Sequence, residues 1–531
     1  MIKPTEKNTV PSKHPHIPVV LIIIDGWGIA PPSHCNAVTL AHTPNFEKFQ
    51  TYPHTQLQAS SKYVGLPVGQ DGNSEAGHMN IGAGRIVDQD AVVISKSIND
   101  GTFFKNPAFH EAIGHAERNK SALHIMGLLS SNQSGHSDPD HLLALITMAQ
   151  ASKVKKVYLH LFTDGRDSPQ FASIGLLREL DKLLQKMNNI KIASIMGRFY
   201  AMDRKKKWSR TERAYNALVM GEGLKKNSGD EAVVGAYSRG ESDEFIQPTV
   251  LQEKNRPAGL ISDNDSIIFF NLRSDRARQL AKAFVQTDFV GFKRQRVLKN
   301  LRFIAMTDFG PDLDHILTAY PSVDLKDTLP VALKNFRQLY IAESEKYAHV
   351  TYFFNGGYAD PVAHEDRIMI PSPDVANYAD KPEMSARQIT QVVVDNVNLS
   401  VYDFICINFA NPDMIGHTGN IKASTLAIET VDECVGQIYR SVMAKNGVMF
   451  ITGDHGNAED MINETTGEVN TEHSLNPVPL YIISNRFQKL KLRKEGVLGD
   501  VAPTILDLFR INVPAAMTGH KLTMFPKGLY G

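Results

Sequence analysis

The chain has 531 residues, enough at ~150 residues per domain for two to four domains and a large buried core. Its 57 Lys+Arg balance 57 Asp+Glu, which argues against a general polyanion binder and leaves only a local basic pocket open. Hydrophobic residues make up 42% and charged residues 21%, the mix of an ordinary globular protein. Cys35, Cys406 and Cys434 are too few and too scattered for a disulfide framework or a thiolate zinc site.

Residues 1–18 carry Pro4, Pro11, Pro15 and Pro18 among polar side chains and hold no apolar signal-peptide core. A flexible tail and a cytoplasmic location are therefore expected. The run Val19–Ile24 (VVLIII) predicts a buried strand ended by Asp25-Gly26; it falls far short of the roughly 18 residues of a membrane span. Comparable runs follow at Val157–Phe162 before TDGRD, Ile192–Met196 before GRF, Ser266–Phe270 before NLR and Leu301–Met306 before TD. The series continues with Phe404–Phe409 before ANPD, Val448–Ile451 before TGDHG, and Pro479–Ile483. Helical spacing fills intervening stretches such as Ile174–Leu184 and Ala423–Met443. Strands alternating with helices give an α/β class with mostly parallel sheets, whose ligands collect beyond the carboxyl ends of the strands. The densest charge run, Arg204–Arg210 (RKKKWSR), reads as a solvated helix start rather than a nucleic-acid patch.

Three strands lead into carboxylates: Asp25, Asp413 and Asp454. His417 follows Asp413 by four residues, His455 adjoins Asp454, and His473 lies in the polar stretch TEHS. Each Asp taken alone serves equally well as a turn residue or helix cap. The set, gathered at several strand ends, points to Asp/His ligation of a transition metal. Ser74 sits in the glycine-rich segment GQDGNSEAGH, where glycines expose a hydroxyl that metal coordination can turn into a nucleophile. No Ser-centred G-x-S-x-G elbow occurs, which disfavours an α/β-hydrolase. The middle third places Arg166-Asp167, Arg198 and Arg204, and Arg273 and Arg276 past strand ends. With His136 and Lys346 these form a cationic set suited to a small substrate carrying phosphate and carboxylate.

The motifs IIIDGWG (22–28), GNSEAGH (72–78), TDGRD (163–167), MGRFYAMDR (196–204), FFNLRSDR (269–276), EKYAHVTYFFNGG (345–357), NFANPDMIGHTG (408–419) and TGDHGNAE (452–459) run in order across nearly the whole chain. Together they closely resemble the cofactor-independent phosphoglycerate mutases of the alkaline phosphatase superfamily. The resemblance implies an alkaline-phosphatase-like domain, residues 1–88 and 321–531, with a second α/β domain inserted at 89–320 for substrate binding and transfer. It implies two Mn²⁺ sites, with Zn²⁺ and Mg²⁺ as alternatives: Asp413, His417 and His473 for one, Asp25, Ser74, Asp454 and His455 for the other. Its substrate residues are His136, Arg166, Asp167, Arg198, Arg204, Arg273, Arg276 and Lys346. One stretch departs from the family pattern SDGGVHSHIDH: this chain reads SSNQSGHSDPDH (130–141), one residue longer and with Asp138 in place of the second His.

The implied activity is the glycolytic and gluconeogenic interconversion of 3- and 2-phosphoglycerate. It would run through phosphate held on Ser74, with Asp167 as base and no 2,3-bisphosphoglycerate. A monomer acting on a small molecule, without nucleic-acid or membrane partners, is expected. Two rival readings stay open at this level. A phosphatase or phosphopentomutase of the same superfamily would share the metal residues and serine but not need the arginine set. A non-catalytic RNA binder would use Arg204–Arg210.

Overall fold

Val19–Ile24 forms the expected strand, and every one of its side chains is buried. The computed structural model describes residues 17–131, 134–310, 312–322 and 324–524. Residues 1–16 of the expected 1–18 tail, and Asn132 and Gln133 of the departing loop, lie outside them. The chain divides into two units, Met1–Gln89 with Val323–Gly531, and Asp90–Ser322.

In the first unit the sheet order is Asp366–Ile370, Gln338–Glu343, Phe404–Phe409, Val19–Ile24, Val448–Gly453, Val478–Ile483, His54–Gln58 and Glu495–Val497. The first five strands run parallel, whereas Val478–Ile483 is antiparallel to both its neighbours, so the sheet is mixed. Alternation along Val19–Ile24 divides the core. Val19, Leu21 and Ile23 pack toward the helices Ser74–Ala83 and Val501–Leu508. Val20, Ile22 and Ile24 pack toward Ala386–Asn398 and Ile421–Ala444. Burial on both faces is why the strand is continuously apolar, and each such side chain contributes roughly 1.5–3 kcal/mol.

The second unit has its own sheet, in the order Ile316–Tyr320, Arg302–Thr307, Ser266–Phe269, Leu123–Leu129, Val157–Thr163, Ile190–Gly197, Thr249–Glu253 and Leu224–Lys226. It is parallel except where Ile190–Gly197 meets Thr249–Glu253 and where Arg256–Pro257 pairs back on the latter. Helices Pro107–Asn119, Pro139–Ala151 and Ser173–Leu184 join the core on one face, Trp208–Val219 and Ser274–Val285 on the other. The basic run is exposed at Arg204–Lys207, just ahead of the helix that starts at Trp208. Among the described residues no helix is long and apolar enough to cross a membrane.

One glycine governs how a helix meets a strand end. A Cβ on Gly77, in the helix Ser74–Ala83, would stand 2.5 Å from the carbonyl oxygen of Asp454. Only hydrogen at this position lets the Ser74 helix seat against the end of Val448–Gly453. Gly77→Ala should therefore overpack this contact, at a cost of about 1–3 kcal/mol, and reduce activity as well as stability. Thermal unfolding and turnover measured together check this; wild-type values for both would show that the close approach is not needed.

Candidate active site

The strands Phe404–Phe409, Val19–Ile24 and Val448–Gly453 lie side by side in register, Phe409 opposite Ile24 and Ile24 opposite Gly453. Their chains consequently leave the sheet at one level, with Asp25 and Asp454 as the next residues. After Phe409 the chain turns into the helix Asn411–Gly416, with Pro412 in its first turn and His417 as its C-cap. That geometry puts Asp413 and His417 on one face, Nε2 standing 3.4 Å from Oδ1. Ser74 opens the helix Ser74–Ala83, whose N-cap Asn73 accepts from the Ala76 N–H. A helix N-terminus favours negative charge on the group placed there.

The side chains at this edge form two adjoining clusters, Asp413 with His455 and His473, and Asp25 with His78 and Asp454; within each, the ligand atoms lie within 4.8 Å of one another. His417 joins the first, its Nε2 3.2 Å from that of His473. His455 Nε2 stands 3.0 Å from Ser74 Oγ, 3.3 Å from Asp25 Oδ1 and 3.9 Å from Asp413 Oδ1. It thus lies between the clusters rather than in one alone. Lys346 Nζ donates to Asp25 Oδ1 at 2.7 Å, Ser74 Oγ at 2.8 Å and Asp413 Oδ2 at 2.6 Å.

Hydrogen bonds fix which imidazole nitrogens face the clusters. The Nδ1 atoms of His417, His473 and His455 bond the carbonyls of Thr471 (2.8 Å), Gly72 (2.8 Å) and Gly456 (3.2 Å). A carbonyl only accepts, so each Nδ1 carries a hydrogen, and each ring, when neutral, turns an Nε2 lone pair inward. Charge points the same way. Burial opposes a cationic Lys346, yet Asp25, Asp413 and Asp454 outweigh it and hold its pKa above the usual lysine range. Burial likewise opposes a charged His455, and Asp454, Asp25 and Asp413 push it up to about 10. Asp454 Oδ2 is buried without a hydrogen-bond partner. Inward lone pairs, an orphaned carboxylate oxygen and excess negative charge are what a two-metal site requires, and these residues fit one.

The second unit holds the expected cationic set except Lys346, which belongs to the first unit and sits among Asp25, Ser74 and Asp413. Arg198 is buried and donates to Asp164 Oδ1 at 2.5 Å; its Nη1 lies 3.1 Å from Asp167 Oδ2, which also accepts from Ser134 Oγ. Burial raises the Asp167 carboxyl, but Arg198, the Ser134 hydrogen bond and His136 together hold it below the usual range. Arg204 pairs with Asp275 at 2.7 Å, and Arg166 stands 3.8 Å from Glu244. The His136 carbonyl accepts from the Leu272 N–H, tying its loop to the turn that presents Arg273. Burial lowers Arg276, as do the like charges of Arg198, Arg204 and Arg166, with Asp275 opposing. His136 is pushed down to about 4 by burial and by Arg198, with Asp167 opposing. Guanidiniums gathered in this way, three of them already beside a carboxylate, suit an anionic ligand.

Comparisons with known proteins agree with this geometry. Residues 94–311, inside the second unit, match the family model described as BPG-independent PGAM N-terminus. The 2,3-bisphosphoglycerate-independent phosphoglycerate mutase of Clostridium kluyveri is 49% identical over 508 residues, covering 95% of this chain and 99% of that one. The Moorella thermoacetica protein of the same name is 46% identical, covering 95% and 98%. This chain belongs to the 2,3-bisphosphoglycerate-independent phosphoglycerate mutases. A crystal structure of Leishmania mexicana phosphoglycerate mutase at low cobalt concentration superposes with a TM-score of 0.74 at 29% identity, covering 97% of this chain and 99% of that one. Within this mutase, sequence reasoning missed His78, Asn408 and Asn457. Asn408 Nδ2 donates to Asp25 and Asn457 Nδ2 to Asp413. The signal for His78 was present, since it stands one helical turn after Ser74 in the motif GNSEAGH.

The depressed His136 has a pH consequence. Its unfolded pKa is ~6.5, so between that value and about 4 the unfolded chain binds the proton that the folded one refuses. Stability contributed here is full above ~6.5, falls as pH drops toward about 4, and levels off below. Titration of ¹⁵N-labelled histidines should give His136 a midpoint near 4; a midpoint of 6–7 would show that the arginines do not press on it.

Proposed function

We propose that the chain interconverts 3- and 2-phosphoglycerate by lodging the phosphoryl group on Ser74, with the Asp25/Asp413/Asp454 edge handling phosphate and the arginine set holding glycerate. The observation that carries this is the Ser74 hydroxyl. It opens a helix, stands 3.1 Å from Asp25 Oδ1 and 3.0 Å from His455 Nε2, and accepts from Lys346 at 2.8 Å. A hydroxyl so flanked by acceptors and one ammonium is placed to lose its proton and carry an anionic group.

Asp413, His417 and His473 would hold one divalent ion, and Asp25, Ser74, Asp454 and His455 the other. The mixed carboxylate and imidazole donors suit Mn²⁺. When bound, such ions supply Lewis acidity that lowers the pKa of a hydroxyl and offsets charge on a phosphoryl group. Ser74 Oγ forms its bond to phosphorus as the bond from phosphorus to the substrate O3 breaks, giving phosphoserine and glycerate. Lys346 stabilises the oxygen charge that develops at Ser74. Arg273 and Arg276 hold the glycerate carboxylate, and the ionised Asp167 accepts the proton of the 2-hydroxyl. The 2-oxygen then takes the phosphoryl group back and frees the serine. Phosphate stored on serine removes any need for 2,3-bisphosphoglycerate. The unit from Asp90 to Ser322 is accordingly the substrate and transfer domain, and the remainder the metal domain.

Full activity should require divalent metal and persist without 2,3-bisphosphoglycerate. Chelated enzyme that turns over at full rate, or an absolute need for the bisphosphate, would refute this. Ser74→Ala should abolish turnover with little loss of stability, and peptide mass analysis of trapped wild type should place phosphate on Ser74; phosphate on a histidine would overturn the assignment.

Arg273→Ala tests the division of labour. Losing a bidentate charge-assisted contact costs roughly 1.5–3 kcal/mol, or about 10- to 150-fold in glycerate affinity. Phosphoserine would then outlive its glycerate and meet water, so free phosphate should rise relative to 2-phosphoglycerate. An unchanged product ratio, with both slowed alike, would show that Arg273 does not retain glycerate.

A further inference from the structure

His78 is fully buried beside the cluster of Asp25 and Asp454, close enough to both to pass for a third metal ligand. Its hydrogen bonds argue for a different role. Asn408, in the strand Phe404–Phe409, places Nδ2 2.8 Å from Asp25 Oδ2 and 3.0 Å from His78 Nε2. The amide cannot be reversed, because that would set Oδ1 against the Asp25 carboxylate. Both Nδ2 hydrogens are therefore used, one on Asp25 and one on His78, and Nε2 of His78 must accept. The ring hydrogen is then on Nδ1, which lies 2.9 Å from the Ser74 carbonyl oxygen. Asp454 Oδ2 is 3.1 Å from the same Nδ1 but receives no hydrogen bond from it. A nitrogen that carries a hydrogen directed at a carbonyl has no lone pair to give a cation. The His349 ring lies tilted against His78, 5.5 Å between centroids, and the complete burial of His78 confines its ring further.

We infer that His78 is a positioning residue, not a ligand: a neutral Nδ1–H imidazole that ties the Ser74 main chain, through Asn408, to the orientation of the Asp25 carboxylate. Because the chain runs Ser74 carbonyl, His78, Asn408, Asp25, the serine and the carboxylate that flanks its hydroxyl are set by one network. Asp454 Oδ2 is meanwhile left open toward the cluster.

This inference rests on the two-metal reading of the site, and the test separates the two. Selective ¹⁵N-histidine spectra of chelated wild type should show His78 as the Nδ1–H tautomer. Titration calorimetry with Mn²⁺ should give the same ion stoichiometry for wild type, His78→Asn and Asn408→Ala, with one affinity weakened about 10- to 100-fold in each variant. The double variant should be less impaired than the two single losses multiplied, since both break one chain of hydrogen bonds. His78→Asn keeps a donor near the Nδ1 position and guards against a folding failure, which thermal unfolding of each variant would report. Loss of a whole ion in His78→Asn would make the residue a ligand, and an Nε2–H tautomer, unchanged affinities or strictly multiplicative losses would each overturn the relay. Wild type that binds fewer than two ions would count against the two-metal reading alone. The tautomer of His78, and its change in Asn408→Ala, would then still decide the inference.

Discussion

Asp25, Asp413 and Asp454 are held together, each fully or almost fully buried, where three adjacent parallel strands end. Carboxylates taken from water and set this close repel one another, and an uncompensated buried charge costs several kcal/mol. What surrounds them answers that repulsion. Lys346 bonds two of them directly, Asn408 and Asn457 donate amide hydrogens to Asp25 and Asp413, and the Gly26 N–H donates to Asp454. One ammonium against three carboxylates leaves the balance negative. The residues gathered here thus fit a two-metal site.

The other half of the design is rigidity. Three imidazoles are each pinned by a backbone carbonyl, so their lone pairs converge without a side-chain search. Two of the carbonyls belong to loops distant in sequence, at Gly72 and Thr471, so the rings and those loops hold one another in place. Donors fixed before the reaction need no reorganisation during it, which is where electrostatic catalysis gains most. Gly77 serves the same end by allowing the serine helix to seat on the strand that carries Asp454.

Much of this was legible in the sequence, and the parts that were not share a cause. Apolar runs ending in Asp exposed the strands Val19–Ile24, Phe404–Phe409 and Val448–Gly453, because burial on both faces leaves no polar alternation to confuse the reading. The strand Leu123–Leu129 escaped, since His124 and Gly127 interrupt its apolar run; in the structure His124 is buried and satisfied by His160 and Asp265. The set of Asp and His residues was readable, but their division was not. His455 adjoins Asp454 in sequence yet stands between two clusters, a consequence of strand order that spacing does not encode. His78 and Asn408 went unread because a helical histidine and a strand asparagine are common, and only tertiary packing brings them within 3.0 Å. The expectation of mostly parallel sheets holds, with Val478–Ile483 as an antiparallel exception that nothing in its uniformly buried sequence marks.

The two units store electrostatic repulsion of opposite sign. In one, carboxylates outnumber their cations, and His455 is driven toward protonation by them. In the other, burial and the like charges of Arg198, Arg204 and Arg166 press Arg276 below the usual arginine range. In the proposed function cations meet the first imbalance and an anionic substrate the second, and repulsion relieved on binding appears as affinity without further contact area. An enzyme working as proposed, which must keep hold of glycerate while its phosphate is on Ser74, gains from one attraction for each.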